Sequence, residues 1–199
     1  MSWKKIVGIA LAAIVIFFVL SVYGIIRGEL HQTSDISYYR ALSGEIEGPV
    51  AQEIMGEEGW VDCPYDLPTL NELGPYAEIR FDYTAKRDLI FESHAYILIT
   101  AYEAEAYDRI KEQAYKEFPT WMPTSDEWER TDLDSEFTLD HFDFRAVEGG
   151  SYPAQMFWIG TSDARKEIAW FFFYDQELDR VSQGMEHFMT AETGWANIR

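Results

Sequence analysis

The sequence predicts an α+β protein: an N-terminal transmembrane helix followed by a mainly antiparallel sheet covered by two helices. Three observations lead to this class. Residues 6–26 are apolar and uncharged. Several later segments alternate apolar and polar residues, as strands with one wet face do. Two longer segments repeat apolar residues every three or four positions, which is the helical period, and the links between strands are too short for parallel crossovers.

The first predicted element is a membrane span at residues 6–26. As a helix rising about 1.5 Å per residue, this segment is roughly 30 Å long, which matches the core of a bilayer. A secretory signal peptide is the alternative, with Lys4 and Lys5 as its basic start. The apolar run exceeds a signal's usual length of about 7 to 15 residues and continues to Arg27, so residues 1–27 are predicted to be an uncleaved anchor.

Basic residues flanking the span predict its orientation. Lys4 and Lys5 precede it, and after Arg27 the next basic residue is Arg40. The positive-inside rule then places the N-terminus in the cytoplasm. The predicted location is the cell membrane, single-pass, with the body outside the cell, and a cytoplasm-facing regulatory domain is kept as an alternative.

The body after Arg27 is strongly acidic. It holds all 35 acidic residues and 13 of the 16 basic ones, a formal charge of −22. Such a field repels nucleic acid, and no cluster of basic residues opposes it. The predicted partners are the membrane, through residues 6–26, and an envelope protein or a glycan.

The body is predicted to hold together by packing alone. Its only cysteine, Cys63, excludes a disulfide within the chain. Residues 28–59 show a weak pattern and are predicted to be a stalk or linker, with a short helix at 34–42 capped by Ser34. Residues 60–199 form the single exported domain.

The first half of that domain begins with a capped turn from Thr69 to the Gly74-Pro75 pair. Strands are predicted at 77–84 and 95–102, the second apolar throughout and therefore covered on both faces. Lys86-Arg87 and residues 92–94 are predicted to be turns. A helix is predicted over 103–118 because apolar residues recur there every three or four positions. Pro119 ends this repeat.

The second half repeats this pattern of strands followed by a helix. Alternation at 142–146 predicts one strand, which Glu148 to Ser151 interrupts. Residues 156–160 and 168–174 predict a hairpin. An amphipathic repeat at 178–189 predicts the second covering helix.

The sequence carries no recognised catalytic motif, so no catalytic, cofactor-binding or metal-binding residue is predicted. Asp132 to Asp143 places oxygen-bearing side chains at the spacing of a calcium-binding EF-hand loop. However, Phe137 occupies the position that needs a glycine turn, so a solvated acidic loop is the prediction. His141 is predicted to be a solvated histidine on a strand edge.

Aromatic residues fall into two groups. Those in polar, turn-like segments are candidates for packing or for a contact surface, and those on predicted strands are candidates for the core. The first group is Trp60, Trp121, Trp128 and Trp195. The second is Trp158, Trp170, Phe171, Phe172 and Phe173.

These features predict a membrane-anchored binding or accessory module of the cell envelope. A hydrolase that uses carboxylates is the alternative, because any two of the 35 acidic side chains could meet in a fold. The lysine-led span, Asp35-Ile36-Ser37-Tyr38-Tyr39, Leu89-Ile90-Phe91-Glu92-Ser93 and the run ending in Phe173-Tyr174-Asp175 resemble uncharacterised membrane-anchored or secreted proteins of Gram-positive bacteria. The resemblance implies an envelope location and no particular activity.

Overall fold

The computed structural model describes residues 29–56, 67–87, 92–120, 136–139, 141–151 and 154–175. This part of the chain contains seven strands and three helices. The strands are β1 (Glu29–Thr33), β2 (Glu78–Arg87), β3 (Glu92–Ala101), β4 (Glu136–Leu139), β5 (Phe142–Ser151), β6 (Ala154–Ser162) and β7 (Glu167–Asp175). The helices are α1 (Ile36–Leu42), α2 (Gly48–Met55) and α3 (Ala104–Glu117).

The strands form one antiparallel sheet in the order β1-β2-β3-β7-β6-β5-β4. Six of them lie between Glu78 and Asp175, and β1 adds to the edge of β2. Each half of the chain forms its own meander, and the two halves join where β3 pairs with β7, Leu98 opposite Trp170. The predicted α+β class and antiparallel pairing are confirmed.

One face of the sheet carries the helices. Tyr38 and Tyr39 of α1 and Tyr107 and Ile110 of α3 pack with alternate residues of the central strands in one hydrophobic cluster. The strand residues of that cluster include Phe81, Tyr83, Tyr96, Leu98, Phe157, Ile159, Ile168, Trp170 and Phe172. The apolar repeat of α3 therefore covers the sheet, as its spacing predicts.

The other face of the sheet is also apolar and buried. The Trp158 ring stacks on Phe171 and Phe173, with centroids 5.1 and 5.5 Å apart. The Phe144 and Phe171 rings lie in a T-shaped arrangement, with centroids 6.0 Å apart. All five strand aromatics predicted to be core are buried, which confirms that prediction.

Of the three described helices, α1 confirms the short helix predicted at 34–42, and α3 is one of the two covering helices that the sequence predicts. Helix α3 confirms the prediction over 103–118. Helix α2 was not predicted, and α1 is capped by Asp35, not Ser34, because an Asp35 carboxylate oxygen accepts from the Ser37 N–H at 2.9 Å. Residues 29–55, within the predicted stalk, thus contribute β1 and two helices to the described fold.

Two predicted turns are wrong. Lys86-Arg87 continues β2, because β1 pairs with it, Glu29 opposite Arg87. Residues 92–94 begin β3, since all three pair with β2 and Ser93 and His94 pair also with β7. Strand β5 likewise continues through the predicted break after Ala146, with an irregularity in its register between Ala146 and Glu148.

Several predictions fall outside the described residues: the span at 6–26, the helix at 178–189, Cys63 and the turn-like tryptophans. Among the helices that the structure does describe, none combines the length and apolar character needed to cross a bilayer.

Candidate functional site

A cavity of about 490 Å³ lies between the Leu67–Leu73 segment and α3. Its apolar lining consists of Leu67, Leu73, Ile110, Ala114, Phe118 and Trp170, with Pro68 beside them. Its polar lining consists of Ser43, Thr69, Glu72, Gln113 and Glu117. This size and an apolar lining with a few polar groups are typical of small-molecule sites.

A reciprocal capping box shapes the first wall of the cavity. The Glu72 carboxylate accepts from the Thr69 backbone N–H at 2.8 Å and from its hydroxyl at 2.9 Å, through the same oxygen, Oε2. The Thr69 hydroxyl in turn accepts from the Glu72 N–H at 3.4 Å. These bonds confirm the capped turn predicted from the sequence and fix where the carboxylate stands.

Gly74 lets this turn approach α3 closely. Its φ of +76° lies in the left-handed region, and a Cβ there would stand 2.7 Å from Cδ1 of Ile110. Glycine meets both demands because it has no Cβ. The turn therefore ends directly against the buried face of the helix.

Helix α3 forms the second wall. Ile110 and Ala114 are buried, while Gln113 and Glu117 are exposed on the rim. The Gln113 side-chain amide donates to Oε1 of Glu117 at 3.0 Å, one helical turn away. The rim thus carries a second carboxylate, Glu117, which is hydrogen-bonded to Gln113.

Two aromatic rings, Phe118 and Trp170, form part of the cavity lining. The Phe118 and Trp170 rings lie in a T-shaped arrangement, with centroids 5.3 Å apart. Trp170 is 3% exposed, and its indole N–H finds no acceptor among the described residues. The lining therefore combines two exposed carboxylates with a buried indole ring.

The electrostatics of the lining are negative. Two glutamates and no lysine, arginine or histidine stand among the described lining residues. Hydrogen bonding from the Thr69 backbone and then from its hydroxyl lowers the pKa of the Glu72 carboxyl. Glu72 is therefore an anion at neutral pH.

Comparisons of the sequence and of the structure with known proteins identify no relative of this chain. The chain matches no protein-family model, no curated protein and no solved structure. The cavity and its side chains are therefore the basis for assigning a function to this protein.

A second cleft, of about 360 Å³, lies between Tyr115 and the β4–β5 pair. The basic side chain in this cleft, Arg145, already has hydrogen-bond partners. It donates to the Phe118 carbonyl at 2.5 Å and to the Thr120 hydroxyl at 2.9 Å. The guanidinium also lies 3.9 Å from the centroid of the Tyr115 ring. These contacts attach the end of α3 to β5 and explain the Arg145 side chain without a ligand.

The structure contradicts the prediction of a solvated His141. The side chain is 14% exposed, and Nε2 lies 2.8 Å from Oε2 of Glu167. The other oxygen of Glu167 accepts from Arg80 at 2.8 Å. Arg80 and Glu167 are 87 residues apart, so no sequence spacing signals this array, which links β2, β7 and the residue before β5.

We predict that Glu167→Gln lowers the free energy of unfolding by about 1.5 kcal/mol, because it removes the charge that both neighbours contact. Urea titration of the full-length protein in a nonionic detergent measures the change. Glu112→Gln, on the exposed side of α3, is the matched control and should change stability by less than about 0.5 kcal/mol. Equal effects from the two variants would contradict a role for Glu167 as a bridge.

The segment that mimics a calcium loop is partly described. Phe137 and Thr138 lie in β4, and the Thr138 hydroxyl donates to Asp143 at 2.9 Å across the hairpin. Asp132 lies outside the described residues. Within the described part of the chain, no group of three or more potential ligand side chains is placed to hold a metal ion.

Proposed function

We propose that this chain is a membrane-anchored binding or accessory module of the cell envelope whose ligand occupies the cavity between residues 67–73 and α3. The cavity is the observation that supports the proposal. Its lining contains aromatic side chains and polar groups. The polar groups are held in place by hydrogen bonds between Thr69 and Glu72 and between Gln113 and Glu117. Preorganised polar groups over an apolar surface favour binding because they lose little conformational freedom when a ligand binds.

The anchored, exported arrangement is also part of the proposal. It is supported by the apolar segment at 6–26 and by the basic residues before it. β1 begins at Glu29, three residues after that segment ends. The sheet end that holds Glu29 and Arg87 would therefore stand next to the membrane.

We predict that the protein remains in the membrane fraction through high-salt and alkaline carbonate washes, because about twenty apolar residues in the bilayer outweigh any charged contact. Protease added to intact cells stripped of their wall should digest the body. A soluble mature form would show that the segment is a cleaved signal. Protection of the body would place it in the cytoplasm.

Ligand-observed NMR with a library of small fragments tests the cavity, using full-length protein in nanodiscs. Ala114 is buried in the lining, so Ala114→Met should fill the space beside Trp170 and abolish binding of cavity ligands. Ala104→Met, at the exposed start of the same helix, should leave binding unchanged. Ligands that survive Ala114→Met would show that the cavity is not the site.

A carboxylate hydrolase is the second candidate, favoured by Glu72 and Glu117 lining one cleft. Its mechanism needs one carboxyl group that stays protonated as the acid. The lowered pKa of Glu72 does not suit that role. Turnover of an envelope polysaccharide that Glu117→Gln abolishes would establish the enzyme over the binding module.

A further inference from the structure

The rim of the cavity holds two carboxylates that each keep one oxygen available. Thr69 engages only Oε2 of Glu72, and Gln113 engages only Oε1 of Glu117. Within the described residues, the remaining oxygen of each side chain accepts no hydrogen bond. Both carboxylates are therefore positioned and still able to accept from a ligand.

The lining supplies no positive charge to neutralise them. No basic side chain is among the described lining residues, and the body as a whole is strongly acidic. A cationic ligand would gain charge-assisted hydrogen bonds at the rim and favourable attraction from the surrounding field. An anion would meet repulsion from both.

The interior selects an organic ligand over a metal ion. Trp170 and Phe118 present aromatic surface, and Leu67, Leu73 and Ile110 present aliphatic surface. Hard metal cations need six or more oxygen ligands, which these walls do not offer. Aromatic faces, in contrast, attract ammonium groups as well as apolar bodies.

We infer that the cavity binds a small organic cation, with its ammonium group between Glu72 and Glu117 and its apolar body against Trp170 and Phe118. The inference rests on the proposed binding function and specifies its ligand class. The size of the cavity, about 490 Å³, suits a single small molecule.

Three probes with one apolar body and different charges test the ligand class: 2-phenylethylamine, 2-phenylethanol and phenylacetate. Each is titrated by calorimetry and ligand-observed NMR into full-length protein in nanodiscs of zwitterionic lipid, with empty nanodiscs subtracted. We expect the amine to bind saturably and about tenfold more tightly than the alcohol, and phenylacetate to bind most weakly.

The variants separate charge from shape. Glu117→Gln should weaken binding of the amine about tenfold and leave binding of the alcohol unchanged, whereas Glu112→Gln should change neither. Ala114→Met should abolish binding of both probes.

The outcomes distinguish the ligand class from the site. Equal affinity for amine and alcohol, with no effect of Glu117→Gln, overturns the cationic ligand and keeps the cavity as the site. No saturable binding of the amine at millimolar concentration also overturns the ligand class. Binding of fragments or probes that Ala114→Met fails to reduce overturns the proposed site itself.

Discussion

Gly160→Ala is expected to lower the free energy of unfolding by about 3 kcal/mol, the upper range for overpacking a core. Gly160 lies in β6 directly opposite Phe144 of β5. A Cβ at Gly160 would stand 2.6, 2.8 and 2.9 Å from three atoms of the Phe144 ring. The ring cannot easily withdraw, because Phe144 is buried and packs on Phe142 and Phe171.

A double-mutant cycle separates this clash from other effects of the substitution. Phe144→Leu removes the ring atoms nearest Gly160, so Gly160→Ala should cost much less in that background. Urea titration of all four proteins gives the coupling free energy. Additive effects of the two substitutions would show that Phe144 is not what excludes a side chain at position 160.

The elements that the sequence predicted best are those whose local pattern agrees with their burial. The predicted strand at 95–102 is apolar apart from Thr100, and successive residues of β3 are buried, so both of its faces are covered. In β2, Phe81 and Tyr83 are buried, whereas Arg80 and Asp82, which alternate with them, are exposed. In α3, the three or four residue spacing of Tyr107, Ile110 and Ala114 places all three against the sheet.

The errors arose where tertiary contacts decide the local structure. Arg87 continues β2 because β1 pairs with it, and that pairing has no signal in either segment alone. Gly48-Pro49 begins α2 inside the predicted stalk, since proline fits the first turn of a helix, where its missing N–H is not needed.

The candidate site could not be predicted for the same reason. The sequence predicts its capped turn at Thr69, but the cavity exists only because the chain brings this turn next to Ala114 of α3 and Trp170 of β7. The two rim carboxylates, Glu72 and Glu117, are two among 35 acidic residues. Only the fold distinguishes them from solvated surface charge.

His94 is a buried histidine that should make the fold acid-sensitive. Its ring stacks on Tyr174 at 4.8 Å and lies 5.5 Å from Phe172. Neither ring nitrogen has a hydrogen-bond partner in the described part of the chain. Glu92 approaches no closer than 3.9 Å to Nδ1, and burial lowers the pKa of His94 to about 3.

The direction of the effect follows from proton binding. The unfolded chain takes up a proton on this imidazole near pH 6.5, whereas the folded protein does so only near pH 3. Between these values the unfolded state binds more protons, so the free energy of unfolding falls as the pH is lowered. Each pH unit in this window costs about 1.4 kcal/mol.

His94→Phe should remove this sensitivity while keeping an aromatic ring against Tyr174. Between pH 7 and about pH 4.5, the wild-type free energy of unfolding should fall by about 2.5 kcal/mol more than that of the variant. Urea titrations of both full-length proteins at each pH give this difference, in which the carboxylates common to both cancel. At pH 7 the variant should be at least as stable as the wild type, because it buries no unpaired ring nitrogens. Parallel loss of stability in the two proteins would show that the His94 ring accepts a proton in the folded state as readily as in the unfolded chain.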